Sequence, residues 1–230
     1  MSEKRCILLF VKYPAKGKVK SRLADDLSEE TAICLYRSFV DDILRTLKEC
    51  GYPFTVWFSP PDANEKISQW LGEGNVYVPQ RGHDLGEKIK HAFLQTFSQG
   101  FTQVLLIGSD LPDLSCSILR DAFEFDHVNA VIGPSFDGGY YLIGFRHDTF
   151  SEEIFDNMHW STDGVFRETM ARLRRKGYLV HVLPERRDID RAEDLRDFAE
   201  RNRDSDFAHS ETMRYLRAHQ KTLFPEVNTP

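Results

Sequence analysis

The chain lacks a C-x-x-C pair: its four cysteines, Cys6, Cys34, Cys50 and Cys116, lie scattered through 230 residues. Zinc sites and dithiol redox centres hold their cysteines close together, so neither is expected here. Isolated thiols of this kind are expected to be reduced, as in a cytosolic protein. A long apolar run is also missing. The first one, residues 6–11, is too short for a secretory leader or a membrane span, so a cytoplasmic protein with no transmembrane segment is expected. Nor is there an excess of positive charge. Thirty Lys and Arg face 36 Asp and Glu, a net charge of −6, which argues against a general nucleic-acid binder but leaves room for a local basic pocket. Internal repeats and low-complexity segments are absent. At this length the chain buries a sizeable core without needing a covalent or metal staple.

What is present is an alternation of short apolar runs with longer amphipathic stretches. Strands are expected at 5–11, 54–58, 75–79, 103–107, 128–133, 140–145 and 178–183. Helices are expected at 28–50, 62–71, 84–98, 115–124, 162–176, 191–202 and 210–222. The first of these is well marked: Ile33, Tyr36, Val40, Ile43, Leu47 and Cys50 recur at helical spacing, Ser28 suits the N-cap, and Gly51 follows the end. Strand–helix alternation implies an α/β fold with a mostly parallel sheet and helices on both faces. The two adjacent strands flanking "SFDGG" break the alternation and predict a hairpin or an antiparallel insertion. One domain spanning 1–230 is the simplest division, with 203–230 as a C-terminal helical extension.

In open α/β sheets, ligands bind beyond the carboxyl ends of the strands, and four loops there are unusual. The first, "KYPAKGKVKSRL", carries Lys12, Lys16, Lys18, Lys20 and Arg22 around Gly17. It suits a phosphate or diphosphate, yet it is neither a Walker loop nor a G-x-G-x-x-G turn. A solvated basic loop is the alternative. The second, "VLLIGSDLPDL", ends an apolar strand on Asp110, where Mg²⁺ or Mn²⁺ bridging to a diphosphate would neutralise the carboxylate. Asp113, nearer the following helix, suits its N-cap.

The third loop holds Asp137, Gly138, Gly139 and Tyr140. It serves as a hairpin turn or as a wall of a sugar or acceptor pocket with Tyr140 as a stacking surface. Ser135 there is not a nucleophile elbow, since the glycine two residues after it is missing. The fourth, "RRDIDRAEDL", places Asp188 and Asp190 two residues apart. The two are expected to point to opposite sides of an extended segment, so that only one faces a metal shared with Asp110. A cap on the next helix is the other role for Asp190. Downstream of the hairpin, His159 could serve as a base or weak ligand, Trp160 as a core or lid residue, and Thr162 as a helix cap. The "RLRRKG" run at 172–177 reads as a solvated helix end or a partner surface.

Together these loops resemble a bacterial family of GT-A-fold proteins described as glycosyltransferases or nucleotide-diphospho-sugar transferases. That family is distantly related to the nucleotidyltransferases of molybdopterin and deazaflavin cofactor synthesis. The stretches that carry the resemblance are "VKYPAKGKVKSRL", "GSDLPDL", "DGGYYLIG", "WST" and "DIDRAEDL", in order across residues 11–195. The resemblance implies a GT-A-like three-layer sandwich and a transferase acting with Mg²⁺ or Mn²⁺ on a nucleotide sugar and an acceptor. By the same carry-over Lys12, Lys20 and Arg22, with Lys18 beside them, face the phosphates. Asp110 and Asp190 hold the metal, and Asp137 lies beside the sugar or acceptor as the candidate base. Gly138, Gly139, Tyr140, His159 and Trp160 line that pocket. Ser21 stands where the family has threonine, and Arg191 and Ala192 replace its threonine and proline. Two alternatives remain: a nucleotidyltransferase that releases pyrophosphate, and a non-catalytic nucleotide-binding protein. The chain lacks the L-A-A-G-x-G-x-R opening common in nucleotidyltransferases, which favours sugar transfer.

Overall fold

A computed structural model describes residues 4–124 and 127–224. Strands β1 (Arg5–Lys12), β2 (Phe54–Ser59), β3 (Tyr77–Pro79), β4 (Gln103–Ile107), β5 (Ala130–Pro134), β6 (Tyr140–Arg146) and β7 (Val180–Val182) form one sheet in the order β3-β2-β1-β4-β6-β5-β7. Every neighbouring pair is parallel except those that β6 makes with β4 and β5. The break expected at "SFDGG" is therefore an antiparallel hairpin, β5 turning into β6, with an irregular register at Gly133/Pro134.

The helices are α1 (Ser21–Asp26), α2 (Glu29–Cys50), α3 (Asn64–Leu71), α4 (Leu85–Ser98), α5 (Cys116–Phe123), α6 (Val165–Arg175), α7 (Ala192–Arg201), α8 (Glu211–Ala218) and α9 (Gln220–Leu223). Alternation along β1 shows how they sandwich the sheet. Ile7, Leu9 and Val11 pack into one core with α2, α3 and α5. Cys6 and Leu8 point the other way, into a second core with α4 and α6. A third cluster joins α1 and the outer side of α2 to α7 and α8. The buried Asp42 of α2 accepts the amides of Glu211 and Thr212, both at 2.8 Å, at the start of α8. A carboxylate from one helix thus satisfies the free N–H groups of another and fastens the C-terminal helices to the body. Residues 225–230 of the expected extension lie outside the described residues.

The caps of α2 are as the sequence indicates: Ser28 accepts from Thr31 N–H at 3.1 Å, and Gly51 adopts a left-handed φ of 75°. Other expectations need correction. Asp113 does not cap α5; Ser115 does, while Asp113 accepts from Arg201 and Asn202, each at 3.1 Å, across to α7. Thr162 does not cap α6, whose N-cap is Gly164; its hydroxyl donates to His159 O at 2.9 Å. The helix starts later because residues 157–164 fold as a loop, with Asn157 and Ser161 at positive φ. The helix expected over 210–222 breaks at His219, and the short α1 arises inside what reads as a flexible loop.

Cysteine also departs from expectation. Cys50, the last residue of α2, and Cys116, the first of α5, form a disulfide; Cys6 and Cys34 are free thiols. The two bonded residues lie 66 apart in sequence, and only the packing of α5 against α2 brings their Cα atoms to 5.4 Å. With that pair bonded, the cysteine pattern gives no support for a reducing compartment. Among the described residues no helix is long and apolar enough to cross a membrane.

The "RLRRKG" run sits at the C-terminal end of α6, where cations face the negative end of the helix dipole. Arg172 pairs with Glu168 at 2.7 Å and Lys176 with Glu153 at 2.7 Å, so most of the run is spoken for locally.

Candidate active site

The carboxyl ends of β1, β2, β3 and β4 open into a cleft of about 620 Å³ that straddles the sheet edge. One part lies under the N-terminal end of α4. Phe10, Leu85, Ile89, Leu106 and Trp160 make it apolar, and Ser59, Gln80 and Lys88 are its polar contacts. The other part lies between the loop after β1 and the loop after β4. Lys12, Lys20, Arg22, Ser109, Asp110 and Asp190 make it strongly charged.

Lys20 organises the charged part. Its side chain is 3% exposed, and its ammonium reaches three acceptors: Asp110 Oδ1 at 2.6 Å, Ile189 O at 2.6 Å and Asp190 Oδ1 at 3.1 Å. Three donors on Nζ meet three acceptors, which is the condition for burying a charge. Burial by itself would lower the pKa of this lysine. The charges and hydrogen bonds of Asp110 and Asp190 outweigh burial and raise it, so the group stays charged. The backbone at Lys20 has φ 47° and ψ 48°, a left-handed conformation costly for a side-chain-bearing residue. That turn aims the side chain inward, whereas Lys16 pairs outward with Glu30.

Asp110 is not buried: its side chain is half exposed to the cleft, so the apolar β4 ends at a solvated wall and not inside the core. Asp190 is shared, with one oxygen on Lys20 and the other 3.4 Å from Arg22. Asp137, Asp188 and Asp190 form a separate group, each offering a carboxylate oxygen within 4.8 Å of the others. Asp188 and Asp190 therefore converge, against the expectation that they divide between two sides. Residues two apart share a face of extended backbone, so alternation favours their meeting. Burial, then the charges of Asp137 and Asp190, push the Asp188 carboxyl up to about 7, against an opposing pull from Lys20.

The hairpin turn is built by close contact. Gly138 has φ 86°, and a Cβ there would come 2.1 Å from Asp163 O, so glycine is required at that position. Phe166 N–H donates to Gly138 O at 2.8 Å, joining the turn to the start of α6. Asp137 Oδ1 accepts from Gly139 N–H at 2.8 Å, which fixes the carboxylate at the rim. Trp160 packs over the first turn of α4, where a Cβ on Gly86 would meet the indole at 3.2 Å.

The residues singled out in the sequence divide as follows. Lys12, Lys20, Arg22, Asp110, Asp190, Tyr140 and Trp160 line the cleft. Asp137 stands with Asp188 and Asp190 beside it, and Gly138 and Gly139 shape the turn that holds it. Lys18 is exposed and away from the lining, and His159 faces a separate shallow hollow along α6.

Two lining residues carry no motif at all. Gln80, the first residue after β3, is buried; its Nε2 donates to Trp57 O at 2.9 Å and its N–H to Phe58 O at 2.8 Å. Pinning the amide by its nitrogen leaves Oε1 as the acceptor it has for a ligand. Tyr36, legible in sequence as one more apolar position of α2, places its hydroxyl at the cleft. Position at a strand end was the signal available for Gln80; nothing marked Tyr36 apart from its neighbours on the helix.

Residues 43–162 match the family model described as "Uncharacterized protein conserved in bacteria (DUF2064)". Among curated proteins none matches. Among solved structures, a provisionally assigned nucleotide-diphospho-sugar transferase from Desulfovibrio desulfuricans G20 is 40% identical, with a TM-score of 0.92 over 96% of this chain and 97% of its own. Two distant structures share the fold alone. A cytidylyltransferase from Leptospira borgpetersenii is 12% identical over all of both chains, with a TM-score of 0.57. Rv0371c from Mycobacterium tuberculosis, in complex with manganese, is 13% identical over 86% of this chain and 98% of its own, with a TM-score of 0.54.

Proposed function

Because the chain belongs to the bacterial family described as DUF2064, and its cleft joins an apolar compartment to a charged one, we propose that it is a metal-dependent transferase using a nucleotide-diphosphate sugar. The observation that carries this is the pairing of opposite charges at one sheet edge. Cations suited to a diphosphate stand beside a carboxylate trio suited to a hard divalent ion. The solved relative from Desulfovibrio desulfuricans G20 supports the substrate class, and the manganese complex of Rv0371c supports the ion.

The nucleoside fits the apolar compartment, where Gln80 Oε1 accepts from a base N–H and Lys88 adds positive charge at the rim. The diphosphate fits beyond it, against Lys12 and Arg22, with the buried charge of Lys20 behind them. Their charge is in place before reaction, so it stabilises the leaving diphosphate without reorganisation. Three carboxylates with oxygens this close give an all-oxygen donor set, which fits Mg²⁺ or Mn²⁺, and Asp110 faces the same space. Bound there, the ion supplies Lewis-acid neutralisation of the diphosphate. In sugar transfer an acceptor hydroxyl oxygen bonds the anomeric carbon as the bond to the diphosphate oxygen breaks. With the ion held by Asp188 and Asp190, Asp137, fixed at the rim by Gly139 N–H, is left to take the hydroxyl proton. Gly138, Gly139, Tyr140 and Trp160 form the wall on that side, and His159 is outside it.

A second reading, nucleotidyl transfer, has the fold shared with the Leptospira cytidylyltransferase in its favour. The same cations would then stabilise pyrophosphate. Products separate the two. The chain, incubated with Mn²⁺, a panel of nucleotide sugars and broad acceptors, is expected to release a nucleoside diphosphate. Pyrophosphate from an NTP and a phosphorylated acceptor would move the assignment to the second reading. Binding without either product would leave a nucleotide-binding protein, and no binding at all would end the proposal.

The carboxylate trio also sets a pH dependence. Asp188, with its pKa pushed up to about 7, is protonated below that value and must release its proton to hold an ion. Mn²⁺ affinity is therefore expected to fall as pH drops from 8 to 6, by up to about tenfold per pH unit below 7. Titration calorimetry in buffers of different ionisation enthalpy reads both the affinity and the released proton. A flat profile, or one that rises toward acid, contradicts this role for Asp188.

A further inference from the structure

Tyr36 sits on α2 at 2% exposure, with its ring in the core and its hydroxyl at the floor of the cleft. That oxygen accepts the backbone N–H of Lys12 at 2.9 Å and lies 2.9 Å from Ser109 Oγ. Lys12 ends β1 and begins the cationic loop; Ser109 immediately precedes Asp110. One phenol thus touches both loops that flank the charged compartment.

The proton positions follow from satisfying every donor. The Lys12 N–H occupies one lone pair on the Tyr36 oxygen. The phenol proton then needs an acceptor, and Ser109 Oγ is the one within reach. If Tyr36 donates to Ser109, the serine proton is turned away from the tyrosine, and Ser109 lines the cleft. Burial, and then the negative charge of Asp110, hold the phenol in its neutral, donating form by pushing its pKa up to about 12. The far end of the Asp110 loop is tied to the same helix, since Cys116 is bonded to Cys50 of α2. The loop is anchored to α2 on both sides of Asp110.

We propose that Tyr36 is a positioning residue that locks the cationic loop to the Asp110 loop and presents the Ser109 hydroxyl to the ligand, so that binding of a diphosphate and of a divalent cation depend on each other. A purely structural tyrosine would satisfy Lys12 N–H and fill space, with no effect on that mutual dependence. The part concerning ligands rests on the function proposed above; the locking of the two loops does not.

Tyr36→Phe keeps the ring and deletes both bonds; Ser109→Ala deletes one of them and leaves the ring in place. Mn²⁺ affinity is measured calorimetrically on the full chain without and with saturating inorganic pyrophosphate, and the ratio is the coupling factor. In Tyr36→Phe this factor is expected to fall about three- to tenfold, the worth of one hydrogen bond. Tyr36→Phe/Ser109→Ala is expected to add little to Tyr36→Phe, because the bond that Ser109→Ala removes is already gone. Amide hydrogen exchange supplies the second readout. Loss of protection in residues 12–20 and in 108–111 together is expected, in both variants. An unchanged coupling factor, additive effects, or exchange that rises in one loop only would overturn the proposal. If the unaltered chain binds neither Mn²⁺ nor pyrophosphate, the proposed function fails, and the exchange data alone decide whether Tyr36 locks the loops.

Discussion

Lys20→Met is expected to unfold at lower urea concentration than the native chain and, in the proposed transfer, to turn over at least about 10²-fold more slowly. The substitution keeps most of the stem and removes the ammonium that Asp110, Asp190 and Ile189 O share. Deleting one partner of a fully buried ion pair costs roughly 3–5 kcal/mol. Here the lysine is buried but Asp110 is half exposed, so water recovers part of the loss. A cost of about 2–3 kcal/mol follows, below the fully buried range and above that of a surface pair. Added Mn²⁺ is expected to restore part of the stability, because a cation again stands among the carboxylates, but not the rate. Lys20→Arg is expected to fail as a rescue. A planar fork does not reproduce three donors converging from a compact head in a closed space. Urea melts with and without Mn²⁺ check the first claim. Equal stability of Lys20→Met and the native chain would remove Lys20 from the centre of the site.

Asp190→Asn is expected to have the larger effect on the ion. Asp190 belongs to both groups, giving one oxygen to Lys20, the other to Arg22, and standing within the trio with Asp137 and Asp188. Substituting residues that merely support a metal ligand costs about 10–100-fold in affinity, so loss of a ligand carboxylate should exceed about 100-fold. Asp110→Asn removes a charge that faces Lys20 from outside the trio, and a smaller loss of Mn²⁺ affinity is expected. Mn²⁺ titrations followed by electron paramagnetic resonance rank the two. The reverse order would place the ion between Asp110 and Asp190, the arrangement the sequence resemblance implies, and away from Asp137.

Much of the framework was legible before any coordinates. The apolar runs and the caps of α2 mark the parallel sheet and its helices, and "SFDGG" marks the hairpin, because period and turn chemistry are local properties. What escaped depends on distance through space. The five cations of the first loop look alike in sequence, yet a left-handed turn at Lys20 sends that one inward and leaves Lys18 in solvent. The expected division of Asp188 from Asp190 fails because residues two apart share a face of extended backbone, and Asp137 joins them only through the fold. Tyr36 counted as a core position, which its ring is; its hydroxyl acts at a place no helical repeat can indicate. The Cys50–Cys116 bond has no local spacing to announce it.

The chain order of these parts bears on how the protein is made. Its interior strand β1 precedes the rest, but its neighbour β4 begins only at Gln103, and β7 follows at Val180. Asp190 comes later still and is the residue common to both groups of carboxylates. Until it emerges, Lys20 has one of its two acidic partners, and the bonds of its ammonium to Ile189 O and Asp190 are missing. The nascent chain can therefore assemble much of its sheet while remaining unable to form the charged compartment. The charged compartment is complete only with the segment leading into α7 in place, where Ile189 N–H meets Asp110 O at 3.2 Å.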